Sequence, residues 1–228
     1  MRLPARLILQ GAGLGFLAGY VDTVGFVALF GLFTAHVTGN FVLIGSELAR
    51  PSNGVLLIKF LAFPAFIAGV ALTRLLSVAL EKRGRPATRP TLLMQLVLLC
   101  GFMLAGIWAA PIGATPSALA VLAGVLGAAS MGVQNASSKL LYQQLTPTTV
   151  MTGNVTQLVI DLVDIARGDR SPALHARCVK FFWPIVAFGL GATGGGLGYV
   201  HFGFAALLLP IGILVSMIGL HDGDGDAV

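Results

Sequence analysis

The stretch Ala35-His36-Val37-Thr38-Gly39-Asn40-Phe41-Val42-Leu43-Ile44-Gly45-Ser46-Glu47 decides how this chain is read, because its Thr-Gly-Asn core returns as Thr152-Gly153-Asn154. Both copies lie in long apolar stretches, and in both an acid stands seven residues beyond the Asn, Glu47 in one and Asp161 in the other. The likeness extends outward. Upstream, Gly11, Gly15, Gly19 and Asp22 align with Gly124, Ala128, Gly132 and Asn135; downstream, Pro64, Gly69 and Thr73 align with Pro184, Gly189 and Thr193. Three blocks in one order are an internal duplication, and a period above 100 residues points to two halves of a membrane protein rather than to a solenoid.

Composition supports that reading. The chain is 56% hydrophobic and 10% charged over 228 residues, where a soluble domain carries about 25% charged residues. Spanning helices need about 20 mostly apolar residues each, and windows of that kind take up nearly the whole chain. The formal charge of +5 sits at the ends of apolar segments, which argues for membrane topology and against nucleic-acid binding. Cys100 and Cys178 lie in or beside apolar segments, so free thiols are expected rather than a disulfide or metal site. No cofactor motif is present. Arg2 and Arg6 before an apolar run resemble a secretory signal, but no small-x-small cleavage site follows, so the run is taken as the first span.

The expected fold is an all-α polytopic membrane domain over 1–228, with one repeat at 7–110, a second at 118–220 and a disordered acidic tail at 221–228. Spans are expected at about 7–33, 55–80, 91–110, 118–142, 180–200 and 204–220, with basic loops at 81–90 and 167–177 and a turn at 51–54. If the two Thr-Gly-Asn segments crossed fully, eight crossings would put one strongly basic loop outside, against the positive-inside rule. If both are broken or re-entrant, both termini and all the basic loops fall inside, leaving Arg50 and Lys59 out. Three spans per half then make the repeats inverted in topology.

Thr, Gly and Asn fit poorly on a lipid-facing helix but suit a break, where free N–H groups at a helix N-terminus can hold an anion or polar solute. Thr38, Gly39, Asn40, Thr152, Gly153 and Asn154 are therefore the substrate-binding candidates, with Gln134 and Asn135 beside them. The two elements are expected to meet near the midplane. The contrasting reading is that they only pack helices through hydrogen bonds. Asp22 is the ionisable residue deep in the first span, facing an amide in the other half, and is the candidate for proton or ion coupling. His36, Glu47 and Asp161 are secondary candidates; His36 suits a hydrogen-bonding role better than a metal, and pairing of the acids with Arg50 or Arg167 is the expected structural alternative. Gly189-x-Gly191-x-x-Gly194 has the form of a dinucleotide fingerprint but follows no strand, and glycines in a spanning helix serve packing. They also offer a face for a homodimer.

Gly19-Tyr20-Val21-Asp22 with Gly25-Phe26, Ala35-His36-Val37-Thr38-Gly39-Asn40, Gly132-Val133-Gln134-Asn135-Ala136 and Thr149-Val150-Met151-Thr152-Gly153-Asn154 together resemble the YoaK family of bacterial inner-membrane proteins. The resemblance implies a small polytopic protein of about this length and brings no catalytic role with it. No Ser/His/Asp or Cys/His arrangement supports an enzyme. The residues point first to a small secondary transporter for a polar or anionic solute, then to a small-ion channel with a polar constriction, then to a structural membrane subunit.

Overall fold

The computed structural model describes residues 4–49 and 56–222. Arg2, Arg50, the expected turn at 51–54 and most of the acidic tail lie outside these residues. In chain order the helices are α1 (Ala5–Ala28), α2 (Gly39–Ala49), α3 (Leu56–Glu81), α4 (Thr88–Ala109), α5 (Ala118–Leu140), α6 (Thr152–Ala166), α7 (Pro172–Phe202), a 3₁₀ segment (Gly203–Leu207) and α8 (Leu208–Asp222). No strand occurs among the described residues. Among the described residues five helical stretches are long and apolar enough to cross a membrane, the last of them running through α7 and α8 at 172–220. Gly203, at φ 57, breaks that stretch.

The first span is shorter than its apolar run. Helix α1 stops at Ala28, and Phe30 and Gly31 take φ of 57 and 73, so the chain turns back through a left-handed corner that favours glycine at the second position. At the start of α7 the expected loop is helix instead. Ser171 caps it by accepting from the Leu174 N–H at 3.3 Å, with Pro172 in the first turn; serine and proline are a favoured pair at a helix start. Among the shorter elements, α2 has 11 residues and α6 has 15, lengths of about 16 and 22 Å against a hydrocarbon core of about 30 Å.

Helix directions follow from the contacts. Gly15 meets Pro184 and Gly195 meets Tyr20, so α1 and α7 run parallel. Ile58 meets Gly124 and Gly69 meets Ala129, so α3 and α5 run parallel too. In contrast, the Gln134 amide reaches the carbonyl of Leu14 while Leu32, just beyond α1, lies on Gly124, which sets α1 and α5 in opposite directions. Helix α4 is antiparallel to α5, through Gln95 with Gln134 and Phe102 with Gly127. Helix α8 returns along α1, with Met217 against Gly13 and the Leu220 carbonyl near Arg6.

Glycine permits the two parallel pairs to pack backbone on backbone. A Cβ at Gly19 would overlap the carbonyl of Phe188, and one at Gly191 that of Phe16. On the other pair, Gly132 sits on the Phe66 carbonyl and Gly69 on that of Ala129. These contacts correct the letter-by-letter alignment of the downstream block. Gly191, not Gly189, takes the place of Gly69, a shift of two residues or about 200° around a helix. Accordingly Pro184 is buried and Pro64 exposed, while Thr73 is buried and Thr193 exposed. The small-residue face of α7 is thus engaged within the chain. Around this core the surface is apolar, with Val42, Val97, Trp108, Leu190 and Val200 outward, as a lipid-facing girdle requires. Cys100 and Cys178 are free.

Candidate functional site

Asp22 belongs to the α1 face that carries Gly15 and Gly19, so it points into the bundle. Residues 29–38 fold back over it. Its Oδ1 accepts from the backbone N–H of Thr34 and of Ala35, each at 2.7 Å, and from the Thr34 hydroxyl at 3.2 Å. Its Oδ2 lies 2.7 Å from His36 Nδ1. The carboxylate is sealed at 5% side-chain exposure, whereas the imidazole keeps 31%. Phe33 and Phe188 flank that ring, the second of them from α7.

The other half builds the corresponding corner with neutral groups. Asn135 donates to the Thr149 hydroxyl at 2.6 Å. Beside it, the Gln134 amide donates to the Leu14 carbonyl at 2.8 Å and to the Thr148 hydroxyl at 3.1 Å, and its oxygen accepts from Gln95 at 2.9 Å. Gln134 is therefore a buried tie between α1, α4, α5 and the 141–151 loop, with its donors committed. Asn135 is half-buried and lines a recess of about 270 Å³ with Ser138, Lys139, Gln143, Leu145 and Pro147. A second recess of about 280 Å³ is lined by Arg6, Gln10, Thr88, Tyr142 and Gln144 among others.

The Thr-Gly-Asn copies divide their labour in the same way. Thr38 and Thr152 are exposed, while Asn40 and Asn154 are buried at the start of their helices. Asn40 exchanges two bonds with the backbone of Phe33, donating at 2.8 Å and accepting at 2.9 Å. Asn154 donates to the Pro147 carbonyl at 2.7 Å; proline, lacking an N–H, cannot return the second bond. Each Asn thus clasps the residue seven positions before it and closes its own loop. The two copies do not meet as expected at the sequence level: α2 packs on α3 and α6 on α7, with no contact between α2 and α6. Each short helix is tied locally to the spanning helix that follows it.

Glu47 and Asp161 complete those ties. Glu47 pairs with Lys59 of α3, whose side chain is 3% exposed. Asp161 is fully buried and holds Arg177 of α7 through two bonds at 2.7 and 2.6 Å, with Gln157 adding a third at 2.8 Å. Both acids are paired, Glu47 with Lys59 and Asp161 with Arg177 rather than Arg167, while Arg50 lies outside the described residues. Sequence reading passed over Thr34 and Thr148, although each stands six residues before its Asn and makes the repeated word Thr-x-x-x-Thr-Gly-Asn. It also passed over Lys59 as a partner, and a lone cation inside an apolar run was the available signal.

Replacing Asn154 by Ala should cost about 1 kcal/mol, for one neutral bond to a carbonyl and a weak one to the Met151 sulfur, and Asn40→Ala about twice that, because two groups of Phe33 lose their partner. Thermal unfolding of the two variants in detergent would check this; equal losses would mean that the clasps do not set the difference.

A chain of apolar helices with buried polar corners defines a multi-pass membrane protein. It belongs to the family described as "Protein of unknown function (DUF1275)", which it matches over residues 10–220. It is also 29% identical over 146 residues to the UPF0700 transmembrane protein YoaK of Bacillus subtilis (strain 168), a match covering 64% of this chain and 62% of that protein. No solved structure is similar to it.

Proposed function

We propose that this protein is a small secondary transporter, built from two inverted repeats, that moves a small polar or anionic solute across a bacterial inner membrane with both termini cytoplasmic. The observation that carries the reading is the opposite direction of α1 and α5 together with their matching parallel partners, α7 and α3. Each half then contributes three crossings, and the second half runs opposite to the first. The loops 29–38 and 141–151 enter from opposite faces along α1 and α5 before α2 and α6 lead back out. This is the arrangement in which one half can rock against the other around a site of polar loops. It also keeps the basic segments 82–89 and 167–180 on one side.

Solute access in this reading runs through the recesses beside Asn135 and Gln10, where Lys139 and Arg6 favour an anion. Thr38 and Thr152 present hydroxyls next to the loops. The pair Asp22 and His36 supplies proton coupling, and the neutral pair Asn135 and Thr149 makes that coupling one-sided. A second copy of the chain can dock through glycines that no described residue covers, Gly212 among them.

The test is a thermal-shift screen of the purified protein against phosphate, sulfate, nitrate, acetate and small dicarboxylates, followed by uptake of each hit into proteoliposomes under an imposed pH gradient. A ligand at 100 times its Kd should stabilise by about 2.7 kcal/mol, and uptake should saturate. No stabilisation by any compound, or single-channel currents without saturation, would sink the transporter reading; the latter outcome would favour a channel.

A further inference from the structure

We infer that the exchangeable proton of the buried pair is carried by His36, and that Asp22 is the positioning residue that orients its imidazole. Both oxygens of Asp22 are already occupied. Three donors converge on Oδ1, two of them backbone N–H groups that cannot turn away. A proton placed there would face three others, so the loop itself holds this group as an acceptor. Oδ2 faces only His36 Nδ1. With a carboxylate as partner, Nδ1 is the donor in the neutral ring as well as in the charged one. The atom left to gain and lose a proton is therefore Nε2, which has no hydrogen-bond partner among the described residues and belongs to the half-exposed side chain.

The surroundings leave this pair to itself. From α7 the ring meets Phe188, and the nearest ionisable residues of that helix, Lys180 and Tyr199, lie at least two turns away by number. Helix α2 brings Glu47, already paired with Lys59. Helix α1 brings Tyr20 besides Asp22 itself. Proton uptake at Nε2 converts a neutral imidazole beside a carboxylate into an ion pair, and release returns the proton to water or solute on the open side of the ring. Position 36 is thus the point where a proton reaches the corner that α1, α7 and the loop share. The second half has no counterpart: Val150 stands at the register of His36 and cannot titrate, and Asn135 bonds to the neighbouring Thr149 instead.

This assignment deepens the coupling role proposed above but can be tested without any solute. Full-length protein carrying ¹³C-carboxyl aspartate in lipid nanodiscs would be followed by pH-difference infrared spectroscopy between about pH 5 and 8, the range in which imidazole changes charge. The expected spectrum contains imidazole bands that disappear in His36→Gln, and no protonated-acid carbonyl band assignable to Asp22. His36→Gln leaves the three loop donors on Asp22 intact, and unchanged thermal unfolding would confirm its fold. Should it fail to fold, ¹⁵N-histidine spectra of the wild-type protein decide instead, with the His36 signal identified by its coupling to Asp22. A protonated-acid band that Asp22→Asn or Asp22→Glu removes would overturn the assignment. So would imidazole bands unaltered in His36→Gln, or a wild-type His36 signal that does not move with pH. A failed solute screen would leave these spectra unaffected, and a titrating Asp22 would leave the transporter reading standing.

Discussion

Asp22→Ala should be the most damaging single substitution in the molecule. It removes the acceptor shared by the Thr34 and Ala35 N–H groups, the Thr34 hydroxyl and His36, and Thr34 is fully buried. Stranding buried donors of a charge-assisted cluster costs on the order of 3–5 kcal/mol. That is a large share of the total for a domain whose net stability is about 5–15 kcal/mol. The loop at 29–38 should open first, because Asp22 and Asn40 are what tie it down. Hydrogen exchange localised to that loop, with thermal unfolding in parallel, provides the measurement. Asn135→Ala serves as the comparison: it removes one bond to Thr149 and should cost about 1 kcal/mol. Equal losses at the two positions would mean that the acid does not organise its half.

Gly191→Leu should be nearly as severe, for a different reason. The new Cβ would overlap the Phe16 carbonyl, and backbone cannot step aside as a side chain can. Overpacking a close contact costs about 1–3 kcal/mol and occasionally more, and here α1 must move away from α7 as a unit. Gly189→Leu, two residues away, meets nothing within 4 Å and should be neutral or slightly stabilising, since leucine is a better helix former than glycine. The contrast is sharp because the repeated letters pair Gly189 with Gly69 and would rank it the more sensitive. Comparable unfolding temperatures for the two variants would refute the two-residue shift.

Much of this protein is legible before any coordinates. Its membrane character follows from composition, since a chain with 10% charged residues has too little polar surface to cover a soluble core. Asp22 stands out because an acid in an apolar run must find partners. Pairing of the acids after each Asn was one of the roles legible in the sequence, beside solvation and coupling, yet their partners were not legible. Lys59 and Arg177 lie 12 and 16 residues from Glu47 and Asp161, and only the angle at which each short helix meets the next span selects them.

The repeated Thr-Gly-Asn by itself marked where two apolar runs are interrupted, because glycine and two hydrogen-bonding side chains recur there. Tertiary structure decided what the words do. Each Asn turns inward to a carbonyl seven residues back, and each Thr faces out. The two copies stay apart because α2 and α6 pack on different spanning helices. Tertiary structure also decided the register of α3 and α7, which depends on which glycine face meets a neighbouring backbone. Identical letters two residues out of step lie on opposite sides of a helix, and sequence spacing alone cannot tell which side will be buried.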